Sequence, residues 1–311
     1  KLGPELDELA KRGILFRTVT PDTVRYSMND SLFIYLRSAF WSGSTDDTTS
    51  AIAPLVNQYY YNGFFDKYDL THLKGLRVLP IQETIQDTRQ IMPYEEVVKV
   101  LDSQDYFAVS HCACKHRKNV DPAHEDCKHP TEVCLHFGRL GRYTVENGLG
   151  RQITRRETED ILKSCAEQGL VHGVSNYQEG VDTICNCCKC CCIFLEAFHI
   201  LKHSEGMSPS SYLVKTNPET CRACELCADR CPMGAIQLEE SPSANNRRGM
   251  IAVLNPDLCI GCGVCVYKCP TSSLVLVSRD TYTEPPRDVR EYTRRVVADF
   301  TEGSARHENS N

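Results

Sequence analysis

Twice in this chain, 38 residues apart, cysteines follow the order C-x2-C-x2-C-x3-C-P: CRACELCADRCP from Cys221 and CIGCGVCVYKCP from Cys259. No other feature restricts the fold so much. Three thiols two residues apart force the backbone into a loop around one centre, and the fourth, displaced toward the following proline, reaches a second centre. The flanks repeat as well, Asn217-Pro218-Glu219-Thr220 matching Asn255-Pro256-Asp257-Leu258, so a unit has been duplicated. The spacing predicts two 4Fe-4S cubes with crossed ligation, one held by Cys221, Cys224, Cys227 and Cys269, the other by Cys259, Cys262, Cys265 and Cys231. Zinc sites separate their ligand pairs by longer loops, and this pattern does not.

The eight cysteines of the repeat belong to a total of 19, an odd number that excludes complete disulfide pairing within the chain. Metal binding is the expected use. The N-terminal stretch KLGPELDELAKRG lacks the apolar core of a secretory signal, which predicts a cytoplasmic, reducing compartment. The formal net charge of -6 and the pI near 6.0 argue against a nucleic-acid partner, and no apolar run approaches the roughly 18 residues of a bilayer span.

All cysteines lie at or after Cys112, and that asymmetry divides the chain. We expect an α+β protein with boundaries at 1–92, 93–210, 211–280 and 281–311. In the first section Glu5 to Arg12 reads as a helix stopped by Gly13, and Ile14 to Val19 and Thr23 to Met28 as strands around a Thr-Pro-Asp turn. Helix, strand, turn, strand suggests a winged-helix-like start. Residues 1–40 carry six basic and five acidic side chains, too even a balance for a phosphate-facing helix, so packing or docking is the expected use.

The cysteine-rich α/β middle section begins with a helix from Pro93 to Leu101 and a strand from Tyr106 to Ser110 that delivers His111 and Cys112. Thr154 to Glu157 is a capping-box pattern opening a helix that Gly169 stops; Cys165 lies on its apolar face and reads as core. A further helix is expected from Ile193 to His203. Beyond Pro285-Pro286, Val289, Tyr292, Val296 and Phe300 share one face of a helix able to pack on its own domain or hold a partner, and the last dozen residues read as disordered.

Ten further cysteines fall in two blocks of that section: Cys112, Cys114, Cys127 and Cys134, then Cys185, Cys187, Cys188, Cys190, Cys191 and Cys192. Ten thiols allow two cubes with two to spare. One or two further iron-sulfur clusters are expected, using thiols of both blocks at one site. The competing reading is structural zinc, aided by His111, His116, His124, His129 and His136, which interleave with the first block. Adjacent pairs such as Cys187-Cys188 should diverge, because neighbouring side chains leave most backbones in different directions.

Over about 65 residues the repeat resembles the bacterial two-cluster ferredoxins, which implies a βαββαβ domain. It departs from them in a longer inter-motif loop, Ser241 to Arg248, and in an even charge balance, seven basic against seven acidic over residues 215–280. Small free ferredoxins are usually acidic, so the balance suggests a docked domain. The remaining motifs, His-Cys-x-Cys, Cys134-Leu-His-Phe-Gly, Gly-Arg-x-Ile-Thr-Arg, Gly-Leu-Val-His and Cys-Asn-Cys-Cys-x-Cys-Cys, resemble a family of multi-cluster iron-sulfur proteins of anaerobes. That resemblance implies extra clusters between a winged-helix-like start and a C-terminal ferredoxin domain.

These readings point to an electron-transfer protein, a subunit relaying single electrons between protein redox partners within an oxidoreductase complex. Two alternatives remain open: an oxidoreductase whose catalytic cluster at Cys185 to Cys192 acts on a disulfide or sulfur compound, and a redox-sensing DNA-binding protein. Heterodisulfide reductase-like subunits follow their paired cysteines with Gly, where this chain has Lys189 and Ile193. No Gly-rich phosphate loop follows a strand, so no NAD, FAD or ATP site is expected.

Overall fold

Pro21 and Asp22 form a two-residue turn between β1 (Leu15–Thr20) and β2 (Thr23–Met28), which pair antiparallel from Thr20 with Thr23 out to Leu15 with Met28. A helix at Gly3–Lys11 precedes them, so the first three elements lie where the sequence places them. The structure, a computed structural model, describes residues 2–28, 34–68, 71–85, 95–199 and 206–308. Two helices follow the hairpin that its sequence pattern does not announce, Ile34–Phe40 and Asp47–Tyr59. Asp46 caps the second by accepting the Thr49 N–H at 2.7 Å, which satisfies a donor the helix itself cannot pair.

The middle section is built on a six-stranded antiparallel sheet in the order β3-β7-β8-β5-β4-β6. Its strands are β3 (Leu76–Leu79), β4 (Phe107–His111), β5 (Glu132–Phe137), β6 (Arg151–Gln152), β7 (Val171–Ser175) and β8 (Thr183–Cys187). β3 comes from ahead of residue 93, so this sheet is completed by a strand of the first section. Leu79, Val109, Leu135, Phe137, Val174 and Ile184 form a fully buried core on it, and each such side chain contributes about 1.5–3 kcal/mol. The helix Arg155–Glu167 opens as expected: the Thr154 hydroxyl accepts the Glu157 N–H at 3.1 Å. The Glu157 carboxylate pairs with Arg151 at 2.7 Å instead of closing the box. Of the expected helix from Pro93, Val97–Asp102 is helical while Pro93 and Tyr94 lie outside the described residues; of that from Ile193, Ile193–His199 is helical and residues 200–205 lie outside them.

In the duplicated segment β9 (Tyr212–Thr216) pairs with β12 (Leu274–Ser278) and β10 (Ile236–Glu240) with β11 (Met250–Leu254); the short helices Leu226–Arg230 and Val264–Tyr267 follow the cysteine loops. This is the expected βαββαβ order. The unit is embedded, not tethered. The Ile81 N–H donates to the Cys262 carbonyl at 3.1 Å, the buried Glu95 carboxylate accepts the Ser211 N–H at 2.9 Å, and the Arg230 guanidinium reaches the Ala166 and Glu167 carbonyls at 3.1 and 3.2 Å. Arg230 thereby caps the C-terminus of Arg155–Glu167, where helix carbonyls lack partners.

A last helix, Val289–Glu308, corrects one expectation: residues 300–308 are helical, not disordered. The segment is anchored to the body, since the Asp299 carboxylate accepts the N–H groups of His72 and Leu73 and Tyr292 stacks near Tyr177. Among the described residues no helix is long and apolar enough to cross a membrane.

Candidate metal centres

The two cysteine loops have the same shape for the same reason. Gly261 and Gly263 hold φ of +69° and +79°; their counterparts 38 residues earlier, Ala223 and Glu225, hold +52° and +68° although neither is glycine. A left-handed conformation at a residue with a side chain is strained and persists where the surroundings fix it. At Gly261 only glycine fits, because a Cβ would stand 2.2 Å from the Ser210 hydroxyl and 2.4 Å from the Tyr212 carbonyl oxygen.

Each loop encloses a small cavity lined by four thiols. Cys221, Cys224 and Cys227 line one together with Cys269, and Cys259, Cys262 and Cys265 line the other together with Cys231. The fourth thiol in each case comes from the opposite copy, the grouping the spacing predicts. The shells are apolar: Leu238, Ala252 and Leu274 around the first, Val214, Met233 and Leu254 around the second. Burial pushes Cys262 up to about 12 as a free thiol, and a cation bound at its sulfur would offset that cost. Four soft thiolate donors in an apolar shell fit a 4Fe-4S group.

Residues 220–273 match the family of 4Fe-4S dicluster domains, and with eight thiols grouped four and four this part of the chain is an iron-sulfur cluster-binding domain. Among curated proteins none matches the chain.

The ten thiols of the middle section separate into two groups. β8 places Cys185 and Cys187 two residues apart on one face, with Asn186 between them turned to the Val133 carbonyl at 2.7 Å. Cys185 and Cys187 join Cys112, Cys114, Cys134 and Cys192 along the wall of a cavity of about 550 Å³, which Cys188 of the other group also touches. Cys112, Cys114, Cys192, Cys187, Cys185 and Cys134 influence one another's ionisation in that order, and the thiols of Cys114 and Cys187 bring Cys192 down to about 5.

The other four are Cys127, Cys188, Cys190 and Cys191, whose sulfurs all lie within 4.8 Å of one another. The Cys191 and Cys192 amides both donate to the Cys188 carbonyl, a tight turn that gathers Cys188, Cys190 and Cys191 around Cys127 and leaves Cys192 with the other group. Of the adjacent pairs, Cys187 and Cys188 fall in different groups, as do Cys191 and Cys192, whereas Cys190 and Cys191 stay together at 3.6 Å. Cys127, grouped in the sequence reading with Cys112, Cys114 and Cys134, lies instead beside Cys188, Cys190 and Cys191, because it sits in the 120–131 loop and not on a strand.

Two of the five histidines are engaged away from the thiols. His136, brought down to about 3 by burial and by Arg37, is a neutral core residue whose Nε2 meets the Ser110 hydroxyl at 2.7 Å, and the His116 Nε2 meets the Ser44 carbonyl at 2.6 Å. Among the described residues the close quartet is drawn from thiols alone.

Helix Ala113–Asn119 supplies positive charge that the sequence reading missed. Lys115 and Arg117 are fully buried. Arg117 pairs with the buried Glu196 at 2.8 Å and donates to the Cys191 carbonyl at 3.2 Å. The Lys115 ammonium donates to the Pro130 carbonyl at 2.9 Å; burial opposes its charge, yet Cys112, Cys188, Cys165 and Cys127 around it hold its pKa above the ordinary value. The signal in the sequence is K-H-R-K directly after Cys114, a short helix buried on all sides, Lys115, His116, Arg117 and Lys118 alike.

Cys165 is the one middle-section cysteine outside both groups, packed with Val133 and Leu170, as its helix face implies. Cys165→Ala is expected to leave iron and zinc contents unchanged while lowering the denaturation midpoint, by roughly 1 kcal/mol, since only one buried sulfur is lost. Loss of metal in that variant would make Cys165 a ligand.

Proposed function

We propose that the chain is a multi-cluster electron-transfer protein, a relay subunit of a larger oxidoreductase. The division at 93, 211 and 281 then corresponds to a winged-helix-like docking unit, a cysteine-rich centre, a two-cluster ferredoxin-like domain and a docking helix. In this reading Cys221, Cys224, Cys227 and Cys269 hold one 4Fe-4S cluster, Cys259, Cys262, Cys265 and Cys231 the second, and four of the six thiols in the large cavity a third. Such clusters, when bound, take up and release one electron at a time.

The observation that carries the reading is the packing between the three chambers. Cys221 and Cys269 share one buried apolar cluster with Cys265 and Cys259. Cys259, Cys262 and Cys231 share the next with Cys134, Cys187 and Cys192. The thiol sets are strung along connected buried apolar clusters, which would bury and order the centres they hold. On the outer surface Val297 and Phe300 of the last helix remain exposed, an apolar edge suited to a protein partner.

One observation favours the enzymatic alternative. The large cavity exceeds the needs of one cube and is also lined by Tyr177, Arg37 and Asp182, whose carboxyl is pushed up by burial. Ligand pockets fall in this size range. The two readings separate in one experiment on anaerobically purified full-length protein. A relay takes up about three electrons from dithionite and reduces no small disulfide; steady-state disulfide reduction that is lost in Cys187→Ser would establish the enzyme instead.

A further inference from the structure

The sulfurs of Cys127, Cys188, Cys190 and Cys191 stand too close together for a cube. Cys127 lies 3.8 Å from Cys188 and 3.8 Å from Cys190, and Cys190 lies 3.6 Å from Cys191. A single tetrahedral ion with metal-sulfur bonds of about 2.3 Å sets its four sulfurs about 3.8 Å apart. In a 4Fe-4S cube each thiolate sits on its own iron, and two iron-sulfur bonds and an iron-iron edge spread neighbouring thiolates to roughly 6 Å. The ferredoxin-like quartets serve as an internal comparison: among the described residues none of their thiols gathers as this set does.

The geometry points to a mononuclear tetrathiolate site for zinc at Cys127, Cys188, Cys190 and Cys191, distinct from every electron-carrying centre. All four positions are filled by protein sulfur, which is the closed coordination of a structural zinc site. Its place in the fold fits that role. Residues 120–131 contain no helix or strand; beside the quartet the Cys127 N–H donates to the Asn119 side chain at 2.8 Å, and the loop's end is held where Pro130 and Thr131 carbonyls accept the Lys115 ammonium at 2.9 Å and the Cys112 N–H at 2.6 Å. The ion would tie this loop to the turn after β8. On binding, the protonated thiols release their protons to solvent and four thiolates surround the dication, leaving a net charge of two minus beside the buried Lys115 ammonium. The inference does not depend on the relay reading, because it removes four thiols from the redox inventory whatever the other six do.

The test is zinc and iron content with zinc-edge X-ray absorption on the full chain produced with both metals and purified anaerobically. About one zinc per chain with four sulfurs near 2.3 Å is expected. Cys190→Ser, a change at the one exposed member of the set, should lower zinc at least tenfold and leave iron and the reduced-cluster EPR signal unchanged. Wild-type protein without zinc overturns the proposal, as does a Cys190→Ser variant that loses iron, whether one atom or about four. If the variant does not fold, the wild-type absorption spectrum still decides, since nitrogen or oxygen in the zinc shell would exclude this quartet.

Discussion

Cys269→Ser is expected to empty the cluster site of the first motif and spare that of the second. Iron should fall by about four atoms per chain, and the EPR signal that survives should be the one abolished by Cys262→Ser. The argument is geometric. Cys269 lines the cavity of Cys221, Cys224 and Cys227, because β12, which follows it, pairs antiparallel with β9, the strand that leads into the first motif. Its thiol is also the more readily ionised of the two crossing cysteines. Despite the opposing effect of burial, hydrogen bonds from the Thr271, Leu274 and Ser273 amides hold Cys269 below its ordinary pKa, whereas burial lifts Cys231 above it. Serine cannot replace a thiolate held this way. Loss of the second motif's signal in Cys269→Ser would mean that each run ligates its own cube.

How far the sequence speaks for the structure differs sharply between the two cysteine-rich regions. In the duplicated segment a local spacing dictates the outcome: loop, short helix and strand follow each motif, and the antiparallel pairing of β9 with β12 crosses the fourth thiols. In the middle section the ligand grouping is set by tertiary geometry. The alternation of β8 allies Cys185 with Cys187, and their meeting with Cys134 depends on β5 lying beside β8, an order that is non-local. Cys127 and Cys134, seven residues apart, end in different groups because one sits in a loop and the other in a strand. The helices Ile34–Phe40 and Asp47–Tyr59 went unread for another reason: Ser, Thr and Pro54 obscure their apolar period, and their stability comes from packing Leu36, Phe40, Ala53 and Val56 into the core shared with the thiol cavity. The cavity itself has no linear signature. Its walls come from β7, β8, the first hairpin, Ile34–Phe40 and the last helix, elements separated by most of the chain.

The second large effect is expected at Lys115. Its side chain is fully buried, with the Pro130 carbonyl as its hydrogen-bond acceptor and thiols of both middle-section groups around it. A buried ammonium is stable only beside compensating negative charge, and around Lys115 that charge comes from sulfur. Lys115→Met keeps the length and apolar stem while deleting the cation, so the thiolates of the two proposed middle-section centres would lose their shared counter-charge. Breaking a buried charge pair by removing one partner costs about 3–5 kcal/mol, and the loss should appear as reduced metal occupancy at both middle-section sites with the ferredoxin-like domain fully loaded. Whatever cluster remains in the large cavity should be harder to reduce, since an added electron would enter a site with one positive charge fewer. Lys115→Arg separates charge from shape: it should restore the potential toward the wild-type value even if the bulkier group lowers stability. A redox titration in which Lys115→Met matches wild type, at unchanged metal content, would show that the thiols around Lys115 are protonated in the working protein and carry no metal.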